Sequence, residues 1–142
     1  MNSHGQTPVS KVFVYKGIDP EKIIGKINLL LSDYIADLYH YNSLIKNSEY
    51  YLKPVHIVIK RKPNGERIKY YYYGRYWYRI VRANGNIKWI YLGKKKPDLK
   101  LPDPPQNPLE GLVVKISSNQ VEIISSNKEL YDKLKNVLKS LT

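Results

Sequence analysis

Arg67-Ile68-Lys69-Tyr70-Tyr71-Tyr72-Tyr73-Gly74-Arg75-Tyr76-Trp77-Tyr78-Arg79-Ile80-Val81-Arg82-Ala83, the turn Asn84-Gly85-Asn86, and Ile87-Lys88-Trp89-Ile90-Tyr91-Leu92 form the stretch that decides the fold. β-Branched and aromatic residues favour a pleated strand, and Asn-Gly tolerates the positive φ of a tight hairpin turn. A second Asn-Gly lies upstream, in Pro63-Asn64-Gly65-Glu66, after the strand-like run Val55 to Arg61. The pattern predicts an antiparallel meander, with Gly74 placed for a bend or bulge between its second and third strands. Alternation sets Arg67, Lys69, Tyr71 and Tyr73, then Arg75, Trp77 and Arg79, on one face, which is read as a basic aromatic surface. The opposite, more apolar face is expected to close on a helix.

That helix is sought upstream. Asp19 is a good N-cap, Pro20 fits the first helical position, and Glu21 suits the positive end of the dipole. Ile24, Ile27, Leu31, Tyr34, Leu38, Tyr41 and Ile45 recur at alternating spacings of three and four, a heptad seam. A helix from Asp19 to Lys46 would be roughly 40 Å long, whereas strands of ordinary length span about 20 Å. The seam is therefore assigned as a homodimer interface. The alternative is a helix broken near Asn42 and Ser43, or near Asn47 and Ser48, that folds back on its own core.

Downstream, Pro97, Pro102, Pro104, Pro105 and Pro108 read as an extended linker. A hairpin around Ser118-Asn119-Gln120 and a helix follow. Ser126 with Glu129 makes a capping box for that helix, and Leu130, Leu134, Val137, Leu138 and Leu141 give it an apolar face. The expected fold class is α+β: a long N-terminal amphipathic helix packed on an antiparallel β-meander, plus a C-terminal ββα unit after a proline-rich linker. The expected organisation is a disordered tail over 1–10, a helix-plus-ribbon domain over 11–96, the linker over 97–110 and a small ββα unit over 111–142.

The 142 residues carry a formal charge of +12, and its distribution is informative. Residues 1–52 and 101–142 are each neutral, while Lys53 to Lys100 holds fourteen basic residues against Glu66 and Asp98. Unpaired like charges weaken a compact state, so a polyanionic partner is the economical explanation. No Cys is present, which excludes disulfides, thiolate metal sites and a cysteine nucleophile. His4, His40 and His56 show no ligand spacing, and the basic segment lacks a phosphate-cradling Gly loop, a nucleophile elbow and clustered carboxylates. No catalytic residue, metal or cofactor is assigned, and a non-enzymatic role is expected. With no apolar run of spanning length, no membrane partner is expected and the cytoplasm, a host cell interior, is the expected location. The richness in Lys, Ile and Tyr is met in hyperthermophiles and equally follows from an AT-rich genome.

Arg75-Tyr76-Trp77-Tyr78-Arg79, followed by Asn84-Gly85-Asn86-Ile87-Lys88-Trp89-Ile90-Tyr91-Leu92-Gly93-Lys94, resembles the β-ribbon of archaeal viral (fusellovirus-type) tyrosine integrases. It is also similar to the arm-binding domains of other integrases, where an aromatic strand, a Gly turn and a Lys-x-x-Tyr-x-Gly strand bind DNA. The likeness covers residues 75–94. The helix that follows in arm-binding domains is replaced here by prolines, and the recombinase catalytic domain is absent. The resemblance thus implies DNA binding and a mobile-element origin, such as an archaeal virus or plasmid, without strand transfer.

The residues expected to bind nucleic acid are Lys60, Arg61, Lys62, Arg67, Lys69, Tyr71, Tyr73, Arg75, Trp77, Arg79, Arg82, Lys88, Lys94, Lys95 and Lys96. Arg75, Trp77 and Arg79 are expected to approach bases. Duplex DNA is the first expectation, RNA or single strands the second. A different class of role, a viral inhibitor docking on an acidic or RNA-binding host complex, rests on the same charge.

Overall fold

A computed structural model describes residues 11–118 and 120–141; the tail, with His4, and Asn119 of the last hairpin turn lie outside them. The elements are β1 (Lys11–Lys16), α1 (Pro20–Leu29), α2 (Ser32–Leu44), β2 (Tyr50–Arg61), β3 (Arg67–Ala83), β4 (Asn86–Gly93), β5 (Val113–Ser117), β6 (Gln120–Ser125) and α3 (Lys128–Leu138). Single 3-10 turns cover Lys46–Ser48 and Lys139–Leu141.

One antiparallel sheet runs β1-β6-β5-β3-β2, and β4 lies beside β3 beyond the end of β5. β3, at 17 residues, is the spine. Its N-terminal half sits between β2 and β5, and its C-terminal half between β2 and β4. Both Asn-Gly pairs turn hairpins. Asn84 (φ 52°) and Gly85 (φ 78°) form the doubly positive turn that matches strand twist, and Gly65 (φ 86°) closes the other loop. At Pro54 the β2–β3 register slips, so that Gly74 and Arg75 oppose a single residue. The expected second and third strands, Arg67 to Tyr73 and Arg75 to Ala83, are thus one strand, and the bulge at Gly74 lies within it rather than between two strands.

The expected long helix is not there. The α/β mix stands, but the N-terminal segment is two short helices. Asp19 Oδ1 accepts from the Glu21 amide and starts α1. α1 stops because the Leu30 and Leu31 amides tighten onto Ile27 and Asn28, and Ser32 Oγ donates to the Leu29 carbonyl. The break falls about three turns before the alternative at Asn42 and roughly four to five turns before that at Asn47. The break lets the two pieces bury their stripes separately, α1 beside α3 and α2 beside β2.

The heptad seam is accordingly consumed inside the chain. Ile24, Ile27, Leu31, Tyr34, Leu38, Tyr41 and Ile45 are all buried in one core with Leu52, Tyr71, Tyr73, Trp77, Val114, Ile123, Leu130, Leu134 and Leu138. That corrects their assignment as a dimer interface, because a side chain covered by its own sheet has no surface left for a partner. Burying those side chains is worth about 1.5–3 kcal/mol each, enough to bend the helix.

The C-terminal ββα segment is likewise no appendage. β5 hydrogen-bonds to β3, β6 to β1, and α3 packs into the shared core. The cap of α3 is Asn127, whose side chain accepts from the Leu130 amide, in place of the expected Ser126. The proline-rich stretch is a fitted strap. Leu101 and Leu109 are buried, and the Pro102 carbonyl accepts from Tyr41 Oη at 2.6 Å. Asn107, also buried, donates to both the Pro54 and Gly74 carbonyls, filling the bulge. Prolines suit this route because they need few backbone partners while holding an extended path.

Among the described residues no helix is long and apolar enough to cross a membrane.

Candidate nucleic-acid interface

All three helices cover one face of the sheet, so alternation along β3 divides its aromatics between two environments. Tyr71, Tyr73 and Trp77 point into the core. Tyr70, Tyr72, Tyr76 and Tyr78 point the other way, onto a face that no helix among the described residues covers. There they meet His56 and Tyr51 from β2 and Trp89 and Tyr91 from β4.

The rings are mutually ordered. His56 stacks on Tyr91 with centroids 4.3 Å apart and on Tyr76 at 5.4 Å. Its Nδ1 lies 2.8 Å from Tyr78 Oη. Trp89 meets Tyr51 and Tyr78 edge-on. Tyr76 lies over Gly74, where an added Cβ would sit in van der Waals contact with the ring at 3.4 Å. Trp89 and Tyr91 nonetheless remain 45% and 42% exposed, so this cluster is an ordered surface that still presents ring area to an incoming group.

Cations lie over these rings. Lys53 Nζ is 4.6 Å from the Tyr78 centroid and 4.5 Å from that of Trp89. Lys60 and Lys115 approach Tyr70 from either side, and Lys94 approaches Tyr76. Such contacts orient the ammonium groups; those of Lys53, Lys60 and Lys94 keep their charge available to an anion, whereas Lys115 is paired with Glu122 at 3.5 Å. Burial, and secondarily the Lys53 charge, hold His56 below the ordinary 6.5, so it is neutral at pH 7. Burial first, with Tyr91 next, pushes the Tyr76 hydroxyl up to about 12, which keeps it a proton-bearing donor.

On the β3 edge away from β2, in the gap between the ends of β4 and β5, no described strand flanks Gly74 to Tyr76. A notch of about 310 Å³ opens there, bordered by Tyr72, Gly74, Arg75, Tyr76, Lys94 and Glu110. Arg75 donates through Nε and a terminal nitrogen to the two carboxylate oxygens of Glu110, at 2.9 and 3.3 Å.

The structure sorts the expected binding residues into three groups. Lys60, Arg61, Lys62, Arg67, Arg79, Arg82, Lys88, Lys94 and Lys95 are exposed. Lys69 is half-buried with its ammonium over Tyr71, Arg75 is held by Glu110, and Lys96 is tied to the Leu101 carbonyl and Asp103. Tyr71, Tyr73 and Trp77 are buried in the core, with Trp77 at 1% exposure and the Tyr73 hydroxyl donating to Asn28. The face read as exposed is thus the inner face of β3. Arg67, at the strand start, and Arg79, past Trp77, share its parity but lie on either side of the core residues.

The residues missed are Tyr51, Lys53, His56, Tyr70, Tyr72, Tyr76, Tyr78, Trp89, Tyr91 and Lys115. No local signal marked them: Leu52 pairs with Trp77 and His56 with Tyr72 on opposite faces, although alternation puts Leu52 and His56 on one, because the register slips at Pro54. The chain matches no family model, no curated protein and no solved structure.

Proposed function

We propose that the chain is a non-catalytic nucleic-acid-binding protein whose helix-free sheet face receives an unpaired strand of DNA or RNA. The observation that carries this reading is the overlap of two patterns on one face: rings ordered by stacking and exposed at Trp89 and Tyr91, and lysines at 53, 60 and 94 set over rings. Bases stack on rings whatever their sequence, and the ammonium groups meet the phosphates between them. The notch beside Tyr76 and Lys94 has room for one nucleotide turned out of the strand.

Duplex DNA is the second reading. It is favoured by exposed cations at both hairpin tips, Arg61, Lys62 and Arg67 at one and Arg82 and Lys88 at the other. A β-ribbon can enter a major groove and place such groups on phosphates. Either ligand suits a regulator or packaging factor of a mobile element, the origin that the integrase-like ribbon implies.

Fluorescence anisotropy with single-stranded DNA, RNA and duplex DNA, from about 50 to 300 mM salt, tests the proposal. For single strands, Lys53→Ala/Lys94→Ala is expected to lower the double-logarithmic salt slope by about 1.4, roughly 0.7 for each phosphate no longer neutralised. No binding of any of the three at the lowest salt would overturn it. Preference for duplex, with the slope lowered by Arg82→Ala/Lys88→Ala instead, would select the second reading.

A further inference from the structure

Among the described residues β4 has only one neighbour. It pairs with β3 from Ala83–Asn86 to Trp77–Gly93, and its other edge meets no described strand. In a hairpin with a two-residue turn the pair flanking the turn exchanges both backbone bonds, and alternate pairs then do so. Counting from Ala83–Asn86, Lys88 and Ile90 bond to β3. Ile87, Trp89 and Tyr91 therefore turn their N–H and C=O groups to the open edge. Every residue from Asn86 to Leu92 is exposed, and five of them are large and apolar: Ile87, Trp89, Ile90, Tyr91 and Leu92, at 42–53%.

A strand edge of this kind is ordinarily blunted by proline, a bulge, an inward charge or a covering loop. β4 has no proline, and its one register slip lies at the far end, past Tyr91. Lys88 is its only charge. That single cation selects among partners. A second copy would bring its own Arg82, Lys88, Lys94 and Lys95 against the first, in a stretch with no acid between Glu66 and Asp98. Like charges across a strand pair are destabilising, whereas a carboxylate opposite Lys88 is favourable.

We infer that the open edge of β4 is a docking site for an extended acidic segment of a partner protein, added as a further antiparallel or parallel strand. Alternation defines the segment. Residues on the side of Ile87, Trp89 and Tyr91 are apolar, and those on the side of Arg79 and Lys88 are Asp or Glu. Main-chain bonds to Ile87, Trp89 and Tyr91 hold it, and the charges choose it. The site uses backbone groups and is independent of the nucleic-acid reading.

The probe is an eight-residue capped peptide alternating glutamate with valine, compared with its lysine-for-glutamate counterpart. Amide hydrogen exchange on the full chain reads the edge directly. In the free protein Lys88 and Ile90 are expected to be protected and Ile87, Trp89 and Tyr91 to exchange fast; saturating peptide is expected to slow those three by about tenfold or more. Ile87→Pro removes one edge donor without touching the β3 ladder, since proline is tolerated on an edge. It is expected to weaken the peptide by about tenfold with an unchanged circular dichroism spectrum. No slowing at the three amides, equal binding of the lysine peptide, or indifference to Ile87→Pro would each overturn the inference. So would protection of the same amides without peptide in a dimer seen by sedimentation, or protection of them by an oligonucleotide instead.

Discussion

The two faces of β3 are built from the same kind of residue and do opposite things. Inward, Tyr71, Tyr73 and Trp77 are sealed in one core with Ile27, Leu38 and Leu134. Outward, Tyr72, Tyr76 and Tyr78 form a layer with His56, Trp89 and Tyr91 that has lysines over it and no helix above it. Aromatic side chains carry large apolar bodies and polar tips, so they serve equally as core and as contact surface. What separates the two is not composition but what packs opposite, and cations follow the same rule: Lys53 and Lys94 face solvent over rings, whereas Arg75 is neutralised by Glu110.

The largest contrast should come from removing one ring on each side. Trp77→Ala is expected to cost about 3–5 kcal/mol of stability by opening a core cavity, read by chemical denaturation. Tyr91→Ala on the other face is expected to leave the denaturation midpoint nearly unchanged and to weaken oligonucleotide binding by about 1–3 kcal/mol, read by anisotropy. Equal stability losses would break the distinction between the faces.

A smaller effect of opposite sign is expected inside. Tyr34 Oη is buried without a hydrogen-bond partner among the described residues, and burial pushes this hydroxyl's pKa up to about 12. Tyr34→Phe removes an unsatisfied group with little change of shape, and a gain of about 1 kcal/mol in thermal or denaturant stability is expected.

The smallest effect is a pH dependence confined to the outer layer. His56 has a folded pKa below its ordinary 6.5, so the unfolded chain takes up the proton first. Its contribution to stability is complete above 6.5 and is lost as pH falls through the folded value. Melting curves between pH 8 and 5 should therefore show wild type losing more on acidification than His56→Gln. Parallel curves would mean that the imidazole is not held neutral by its surroundings.

Much of the sheet was legible. The two Asn-Gly turns, the bulge at Gly74 and the β-rich runs between them carry local chemistry, and local chemistry decides a turn. The Asp19-Pro20 start of α1 is of the same kind. Three features were not legible, each because it is decided at long range. The inner face of β3 depends on which residues the helices reach, and a period of two names two faces without ranking them. The break at Leu30 and Leu31 has no Pro or Gly to announce it; it follows from where each piece finds its partner, α1 on α3 and α2 on β2. The strap depends on Asn107 finding two carbonyls, of Pro54 and Gly74, that only the folded bulge brings together.

The pairing of β1 with β6, Lys11 opposite Ser125, has a kinetic side. β2, β3 and β4 are joined by tight turns and can zip within microseconds of each other, while β1 must wait for the far end of the chain to arrive. Closing so large a loop is entropically slow, but each doubling of its length adds only about 0.6 kcal/mol. The meander around Asn84-Gly85 is thus the natural folding nucleus, and β1 is a late arrival whose contacts govern how fast the native state comes apart rather than how fast it forms.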